Sequence, residues 1–144
     1  MPDPFISIEY SDLVIQKKLR DLKAKVTDLT VVMKNIGEVL LDSTDQRFAK
    51  EQDPDGRPWI PNSPYTIAKK KTLKRIQKVL QDTGRGRASI SYRATPSSVA
   101  VGTNVPYMVK NQLGQGVPKR EYLGISKKDE AEMVIVLDDF LGED

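Results

Sequence analysis

The 144-residue chain contains no cysteine and no histidine, and aromatic residues make up only 6% of it. Without cysteine it forms no disulfide and offers no thiolate to a metal ion. Without histidine, most zinc sites and every Ser-His or Cys-His catalytic arrangement are excluded. No apolar run approaches the roughly 20 residues of a membrane-spanning helix, and no charged-then-apolar signal segment opens the chain. We therefore expect no cofactor, no metal, no membrane contact and no enzymatic activity.

Charged residues account for 30% of the chain and hydrophobic residues for 38%. The apolar residues recur in periodic blocks, which is typical of a folded domain with a small core and not of a disordered chain. The length fits one ordinary domain. We predict a single domain over residues 1–144, with a long proline-rich loop at about 51–64.

The formal net charge is only +3, but the charges are unevenly distributed. Residues 66–87, which we call the basic segment, contain a single acid, Asp82, and eight basic residues: Lys69, Lys70, Lys71, Lys74, Arg75, Lys78, Arg85 and Arg87. After Ser126 the balance reverses, with these acids: Asp129, Glu130, Glu132, Asp138, Asp139, Glu143 and Asp144. If the two segments lie apart, the subunit has opposite poles that suit head-to-tail association. The alternative is that both are solvated helix faces.

The N-terminal part of the chain predicts two helices. Ser11 and Asp12 can cap a helix that begins at Leu13. An apolar stripe then follows in alternating steps of four and three residues: Ile15, Leu19, Leu22, Val26, Leu29, Met33, Ile36 and Leu40. The stretch 27–30 contains three good capping residues, so we place a break there and a second helix from about Leu29 to Ala49. One continuous helix over the whole stretch is the alternative.

A proline-rich loop and a basic helix are predicted next. Asp53–Gly56 has the proline and glycine positions of a type I turn, and the prolines that follow exclude helix and central strand up to Pro64. We expect Trp59, the only tryptophan, to anchor this loop. A basic helix then extends from Tyr65 to about Lys78, with three apolar contacts: Ile67, Leu73 and Ile76. On it, one face carries Lys70 and Lys74 and another carries Lys71 and Lys78.

The C-terminal half predicts a hairpin between helices. Strands from Ala88 to Ala94 and from Val99 to Thr103 are joined by the turn 95–98, and Gly84 supplies a positive φ before them. A short helix over Val105–Leu113 opens at Pro106 and ends at Gly114, and 119–123 is a strand or an extended segment. Ser126 caps the last helix, whose apolar face is supplied by Ala131, Val134, Ile135, Leu137, Phe140 and Leu141. The fold class is α+β, with N-terminal helices, a small antiparallel β-sheet with a hairpin, and a C-terminal helix.

No motif predicts catalysis or nucleotide binding. Gly84-Arg85-Gly86 precedes a strand and lacks a third glycine, unlike a dinucleotide loop. Adjacent carboxylates such as Asp138 and Asp139 diverge on a helix, whereas general acid–base catalysis aims two groups at one point. The basic segment can bind phosphates independently of sequence, but its lysines and single nearby aromatic, Tyr65, disfavour base reading and single-strand stacking. Contact with passing duplex DNA, contact with an acidic partner and simple solubility remain open.

Four motifs follow one another along the chain: Asp53–Pro61 with Ser63 and Thr66, Leu80–Arg85 with Ser89 and Ile90, Val101–Tyr107 with Gln112 and Gly114, and Pro118–Gly124. Their order and spacing, from about Leu13 to Leu141, resemble the phage virion morphogenesis family. This family comprises the tail-completion proteins of contractile-tailed bacteriophages and Mu-like prophages. The sequence departs from the leucine, histidine, aromatic residue and proline common in the family at Gly86, Asn111, Leu113 and Glu121. These departures affect packing more than role.

The resemblance implies a structural protein of the virion neck that completes or terminates the tail and enables head–tail joining. Related tail-terminator proteins form rings, commonly hexameric, with DNA passing through the lumen. The implied partners are copies of the chain, tail tube and sheath proteins, head–tail connector proteins, and genomic DNA contacted without sequence specificity. The implied location is the virion, after assembly in the host cytoplasm.

The two lines of reasoning give one hypothesis. Lys69–Lys78 faces either the ring lumen or an acidic neighbour, so charge reversal at Lys70, Lys71 and Lys74 is predicted to reduce ring formation or tail joining. Arg85 and Arg87 extend this set of interface or lumen candidates, and the expected structural anchors are Trp59, Gly84, Tyr107 and Arg120. The alternative function is a non-sequence-specific nucleic-acid-binding accessory protein that uses the basic segment as a monomer or dimer.

Overall fold

The computed structural model describes residues 13–82 and 84–142. The elements are, in order, α1 (Leu13–Lys25), α2 (Thr30–Lys50), α3 (Pro64–Thr72), α4 (Arg85–Ala88), β1 (Ser91–Ala94), β2 (Val99–Gly102), α5 (Pro106–Leu113) and α6 (Lys127–Leu141). This confirms the α+β class with N-terminal helices, an antiparallel hairpin and a C-terminal helix. Across the two described ranges, no helix combines the length and hydropathy needed to cross a bilayer.

The predicted break between the first two helices is confirmed. Asp28 accepts a hydrogen bond from the backbone N–H of Thr30 at 2.9 Å, which satisfies a donor that has no partner within α2. Leu29 is buried, and its N–H donates to the carbonyl of Pro96 in the hairpin turn at 3.1 Å. The polar stretch therefore ends one helix, starts the next and positions both against the hairpin. The predicted cap at Ser11 and Asp12 lies outside the described residues.

Two clusters of buried side chains form the core. The first lies where α1 and α2 pack on α6, and it contains Ile15, Leu22, Leu29, Val32, Met33, Ile36, Met133 and Leu137. The second surrounds the end of α2 and contains Phe48, Trp59, Val79, Val105, Met108, Tyr122 and Leu123. The ring of Trp59 meets that of Phe48 edge-on, with centroids 5.5 Å apart. Trp59 Nε1 also donates to the carbonyl of Glu121 at 2.7 Å, which fastens the proline-rich loop to the second cluster.

The hairpin packs on α2. Its register pairs Ser91 with Gly102 and Ala94 with Val99. Our prediction of a strand from Ala88 was wrong at its start, because Gly84 has a φ of 88° and the chain then makes the one-turn helix α4. The strand begins only at Ser91, and the second strand ends at Gly102, one residue before the predicted Thr103.

The segment 119–123 forms neither helix nor strand, so the strand was the wrong one of the two predicted alternatives. A side chain takes the place of a neighbouring strand. Gln112 on α5 accepts hydrogen bonds from the N–H groups of Tyr122 and Leu123 at 2.9 and 3.0 Å, and donates to the carbonyl of Leu123. These bonds satisfy buried backbone groups that would otherwise lack partners. They also position Arg120 at the molecular surface.

Candidate assembly interface

Helix α3 is shorter than predicted. Ser63 caps its start by accepting from the N–H of Thr66 at 3.2 Å, but the helix ends at Thr72 and not at Lys78. Lys74 is left-handed, with a φ of 55°. The N–H groups of Lys74 and Arg75 donate back to the carbonyls of Lys71 and Lys70. This is a Schellman C-cap, and its left-handed residue turns the chain away from the helix axis.

Lys70 is a structural side chain and not an exposed one. Only 8% of it is exposed, and its Nζ donates to the carbonyls of Lys78 and Gln81. Burial lowers the pKa of Lys70. Lys78 is also used within the subunit, since its Nζ donates to the carbonyl of Ala49 at 2.7 Å. The predicted shared helix faces of these lysines were therefore wrong, because α3 ends before Lys74.

Most of the other side chains of this stretch are exposed. Tyr65 is 76% exposed and Leu73 is 51% exposed. Four exposed cations of this stretch, Lys69, Lys71, Lys74 and Arg75, form no ion pair among the residues described. We call the following set the α3 surface: Tyr65, Ile67, Lys69, Lys71, Leu73, Lys74, Arg75 and Ile76. Of the three predicted apolar contacts, Leu73 is half exposed, and Ile67 and Ile76 are each 38% exposed, so none of them belongs to the buried core.

Helix α3 is also set apart from the packed body of the molecule. The main contacts between elements join α1 and α2 to α6, join α2 to the hairpin, and join β1 to β2. α3 belongs to none of these pairs, and Lys70 is its only buried residue. Exposed apolar side chains that stand together on such an element are typical of a protein interaction site.

The two arginines of the basic segment have different environments. Arg87 makes a two-pronged ion pair with Asp45, with Nε 2.6 Å from Oδ1 and Nη2 3.1 Å from Oδ2. These hydrogen bonds lower the pKa of Asp45. Arg87 therefore connects α4 to α2, whereas Arg85 is exposed and lines a cleft.

The cleft has a volume of about 520 Å³ and lies between α3, α4 and α5. Residues from the second, third and fourth sequence motifs line it together with others, and the full lining is Asn62, Lys70, Leu80, Gln81, Asp82, Arg85, Gly86, Tyr107, Met108, Asn111 and Arg120. The first motif is joined to it through Arg120. Arg120 donates from Nε to the carbonyl of Ile60 at 2.8 Å and from Nη2 to that of Pro61 at 3.1 Å. Burial lowers the pKa of Arg120. The four motifs are thus distant in sequence but meet at the cleft. Their contacts hold the chain just before α3, which we call the base of α3.

The four expected anchors lie in two kinds of environment. Trp59 is buried, Gly84 has the expected positive φ, and Arg120 holds two loop carbonyls. Tyr107 differs, because its side chain is exposed and lines the cleft.

The acidic C-terminal segment is partly neutralised within the subunit. Asp129 forms a buried ion pair with Arg47, and Asp138 pairs with Lys18 of α1 at 2.5 Å. Glu143 and Asp144 lie outside the described residues. Glu132 and Asp139, on the outer side of α6, belong to neither of these two ion pairs.

The apolar face of α6 differs from the prediction. Ile135 is 60% exposed and Phe140 is 42% exposed, and Ala131 is exposed as well. The buried positions are Met133 and Leu137, which Asp129 precedes at the same four-residue spacing. The prediction is confirmed for Leu137, which is buried, and for Val134 and Leu141, which pack against the first cluster. It was wrong for Ala131 and Ile135, because residues two apart lie on different sides of a helix. We call the outward set the α6 face: Ala131, Glu132, Ile135 and Asp139, of which Glu132 is half-buried.

The sequence analysis named Gln112 and Asn111 only as motif positions and did not single out Asn62. Gln112 acts through the tertiary fold, so its role shows no periodic signal. For Ile135, an available signal was the spacing that places Asp129, Met133 and Leu137 on one side. The structure thus brings together Lys70, Arg85, Tyr107 and Arg120 around the cleft, and leaves Lys69, Lys71, Lys74 and Arg75 on the α3 surface.

The structure is an α+β fold in which the basic helix α3 has one buried residue, Lys70. The chain belongs to the phage virion morphogenesis family, whose model matches residues 11–142. The match confirms the resemblance noted from the four motifs. The protein is therefore a bacteriophage protein of virion morphogenesis. Searches of curated proteins and of solved structures give no match.

Proposed function

We propose that the protein completes or terminates the phage tail at the neck and thereby enables head–tail joining. In this proposal it works as a hexameric ring, through which genomic DNA passes without sequence-specific contact. Its partners are further copies, the tail tube and sheath proteins, and the head–tail connector. It is a structural component of the virion and transforms no substrate.

The observation that carries the proposal is the α3 surface. It combines exposed apolar side chains with cations that form no ion pair in the described part of the chain. Burying Tyr65 and Leu73 against another protein removes apolar area from water, which is favourable. A role in virion morphogenesis supplies the partners for such a surface. Because the cleft residues fasten the base of α3, the surface is held in a fixed place relative to the rest of the subunit.

The second candidate is the nucleic-acid-binding accessory protein, which the exposed lysines favour. Phosphate contact requires cations but no exposed apolar side chains, and stacking of single strands requires several aromatic platforms. The α3 surface has one aromatic residue, Tyr65, and three aliphatic ones, Ile67, Leu73 and Ile76. A protein partner accounts for both the charge and the apolar area, so we prefer the structural role.

Complementation of a phage lacking this gene tests the proposal. The test variant reverses three exposed charges of the α3 surface, Lys69→Glu, Lys71→Glu and Lys74→Glu, and leaves the buried Lys70 intact. The control reverses three exposed lysines elsewhere, at Lys23, Lys25 and Lys34. We expect the wild type and the control to restore infectivity. With the test variant, we expect electron microscopy to show free heads beside unjoined or overlong tails.

Two results would count against the structural role. One is normal tails and joined particles without any copy of the gene. The other is full complementation by the α3 variant, with loss only of salt-sensitive DNA binding. The second result would favour the accessory protein.

A further inference from the structure

We propose that the α3 surface of one subunit binds the α6 face of the next copy in the ring. The inference rests on the proposed function and names the two sides of the contact. Each side is an outward helix face that the subunit's own packing leaves uncovered. The two faces differ in charge, and each carries apolar side chains among its charged ones.

The α3 surface supplies the basic side. Between residues 65 and 76 the sequence contains no acid. The exposed cations of this surface are Lys69, Lys71, Lys74 and Arg75. Leu73, the C-cap of α3, is exposed and lies between them in the sequence. The surface thus combines an exposed apolar side chain with positive charges close to it in the chain.

The α6 face supplies the acidic side. Ile135 lies one helical turn from Asp139 and three residues from Glu132, so these side chains are neighbours on the helix surface. Ile135 is the centre of this face, with Ala131 one turn before it. Lys128 is exposed at the N-terminal end, so the carboxylates dominate only from Glu132 onward. The C-terminal half of α6 is therefore an apolar contact point flanked by negative charge.

Charge decides how two copies associate. A contact of α3 with α3 would place four cations opposite four cations, which opposes association. A contact of α3 with α6 pairs opposite charges around Leu73 and Ile135. The two sides are different surfaces, so the contact is heterologous and leaves one free face of each kind on every dimer. Such a contact repeats until the ring closes.

Site-directed cross-linking tests the contact directly, because the wild-type chain has no cysteine and gives no background. Phage lacking the gene is complemented with Leu73→Cys plus Ile135→Cys, and purified virions are treated with a short bis-maleimide. The matched control replaces Ile135→Cys by Val31→Cys, since Val31 on α2 is 62% exposed and apolar, against 60% for Ile135. We expect a ladder of covalent oligomers from the Leu73/Ile135 variant. We expect no ladder from the control or from either single variant.

Dimers from Leu73→Cys alone would overturn the inference, because they would show α3 against α3. A ladder of equal strength from the control would overturn it as well. Virions that contain the double variant but yield no cross-link would also overturn the contact, while leaving the proposed function in place. Virions that lack the chain altogether would overturn both proposals.

Discussion

Arg47 on α2 and Asp129 in the first turn of α6 form a buried ion pair, with Nη2 2.6 Å from Oδ2. Arg47 also donates from Nη1 to the carbonyl of Tyr122 at 2.9 Å. Asp129 accepts from the N–H of Ser126 at 3.0 Å, which completes a capping box. Because Tyr122 belongs to the second cluster and α6 to the first, this pair joins the two halves of the core.

Asp129→Ala is expected to lower the free energy of unfolding by about 3 kcal/mol, because it leaves the Arg47 guanidinium buried without its carboxylate. Urea denaturation measures the loss. Glu130→Ala, at the next position of the same turn, is the control and is expected to change stability by less than about 1 kcal/mol. The pair Arg47→Met with Asp129→Leu is expected to lose less than the sum of its single variants. Strict additivity would show that the two side chains act independently.

Lys70 and Lys71 are neighbours in sequence with opposite roles, and alanine variants separate them. Lys70→Ala leaves the carbonyls of Lys78 and Gln81 without their donor, so we expect a loss of about 1–3 kcal/mol in urea denaturation. Lys71→Ala removes an exposed side chain and is expected to leave stability within about 0.5 kcal/mol. In the complementation assay, Lys71→Glu is expected to reduce infectivity without a loss of protein stability. Equal stability losses from the two alanine variants would contradict this division.

The ion pair of Asp45 with Arg87 predicts a pH dependence. Hydrogen bonds from Arg87 lower the pKa of Asp45 in the folded protein below its unfolded value, which is about 3.9. The stabilisation is therefore fully present above the unfolded pKa and is lost as pH falls through the folded pKa. Because Asp45 is more than half exposed, the contribution is below about 1 kcal/mol.

The variant Asp45→Asn tests this. We expect it to be less stable than the wild type at pH 7 and equally stable well below pH 4. Asp21→Asn on α1 is the control, and its difference from the wild type is expected to be small at neutral pH. A difference for Asp45→Asn that stays constant between pH 7 and pH 3 would rule out the proposed linkage.

The effect of Gly37→Ala on the free energy of unfolding is predicted to change sign when Tyr92 is replaced by alanine. A Cβ at position 37 would lie 2.5 Å from Cδ2 of the Tyr92 ring, closer than real atoms approach. Gly37→Ala is therefore expected to destabilise by about 1–3 kcal/mol, although alanine is the better helix former. In a Tyr92→Ala background the clash is absent, and the same change is expected to stabilise by up to about 1 kcal/mol. Thermal unfolding of the four proteins measures both effects, and destabilisation in both backgrounds would contradict the packing argument.

Local sequence signals were sufficient for most element boundaries. The capping residues in 27–30 identified the start of α2, Pro106 and Gly114 bounded α5, and Ser126 marked α6. Each of these signals acts on the backbone within a few positions, through a capping hydrogen bond or through the φ that proline or glycine favours, so it can be read from the local sequence. The basic character of the α3 surface was also predictable, because charge is read directly from composition.

Several of the failures involve partners that are distant in sequence. The buried role of Lys70 depends on its bonds to carbonyls eight and eleven residues further along the chain. The side chain of Gln112 accepts the backbone N–H groups of Tyr122 and Leu123, ten and eleven residues away, as a neighbouring strand would. The outward orientation of Ile135 depends on which side of α6 meets α1 and α2. Charge alone likewise could not separate Lys70, which builds the fold, from Lys71, which does not.

Electron microscopy of infective particles, with a label attached to this chain, tests the central claim most directly. The account predicts label at the head-proximal end of the tail, on particles that have joined heads and tails. Particles without label, or label confined to the opposite end of the tail, would contradict it.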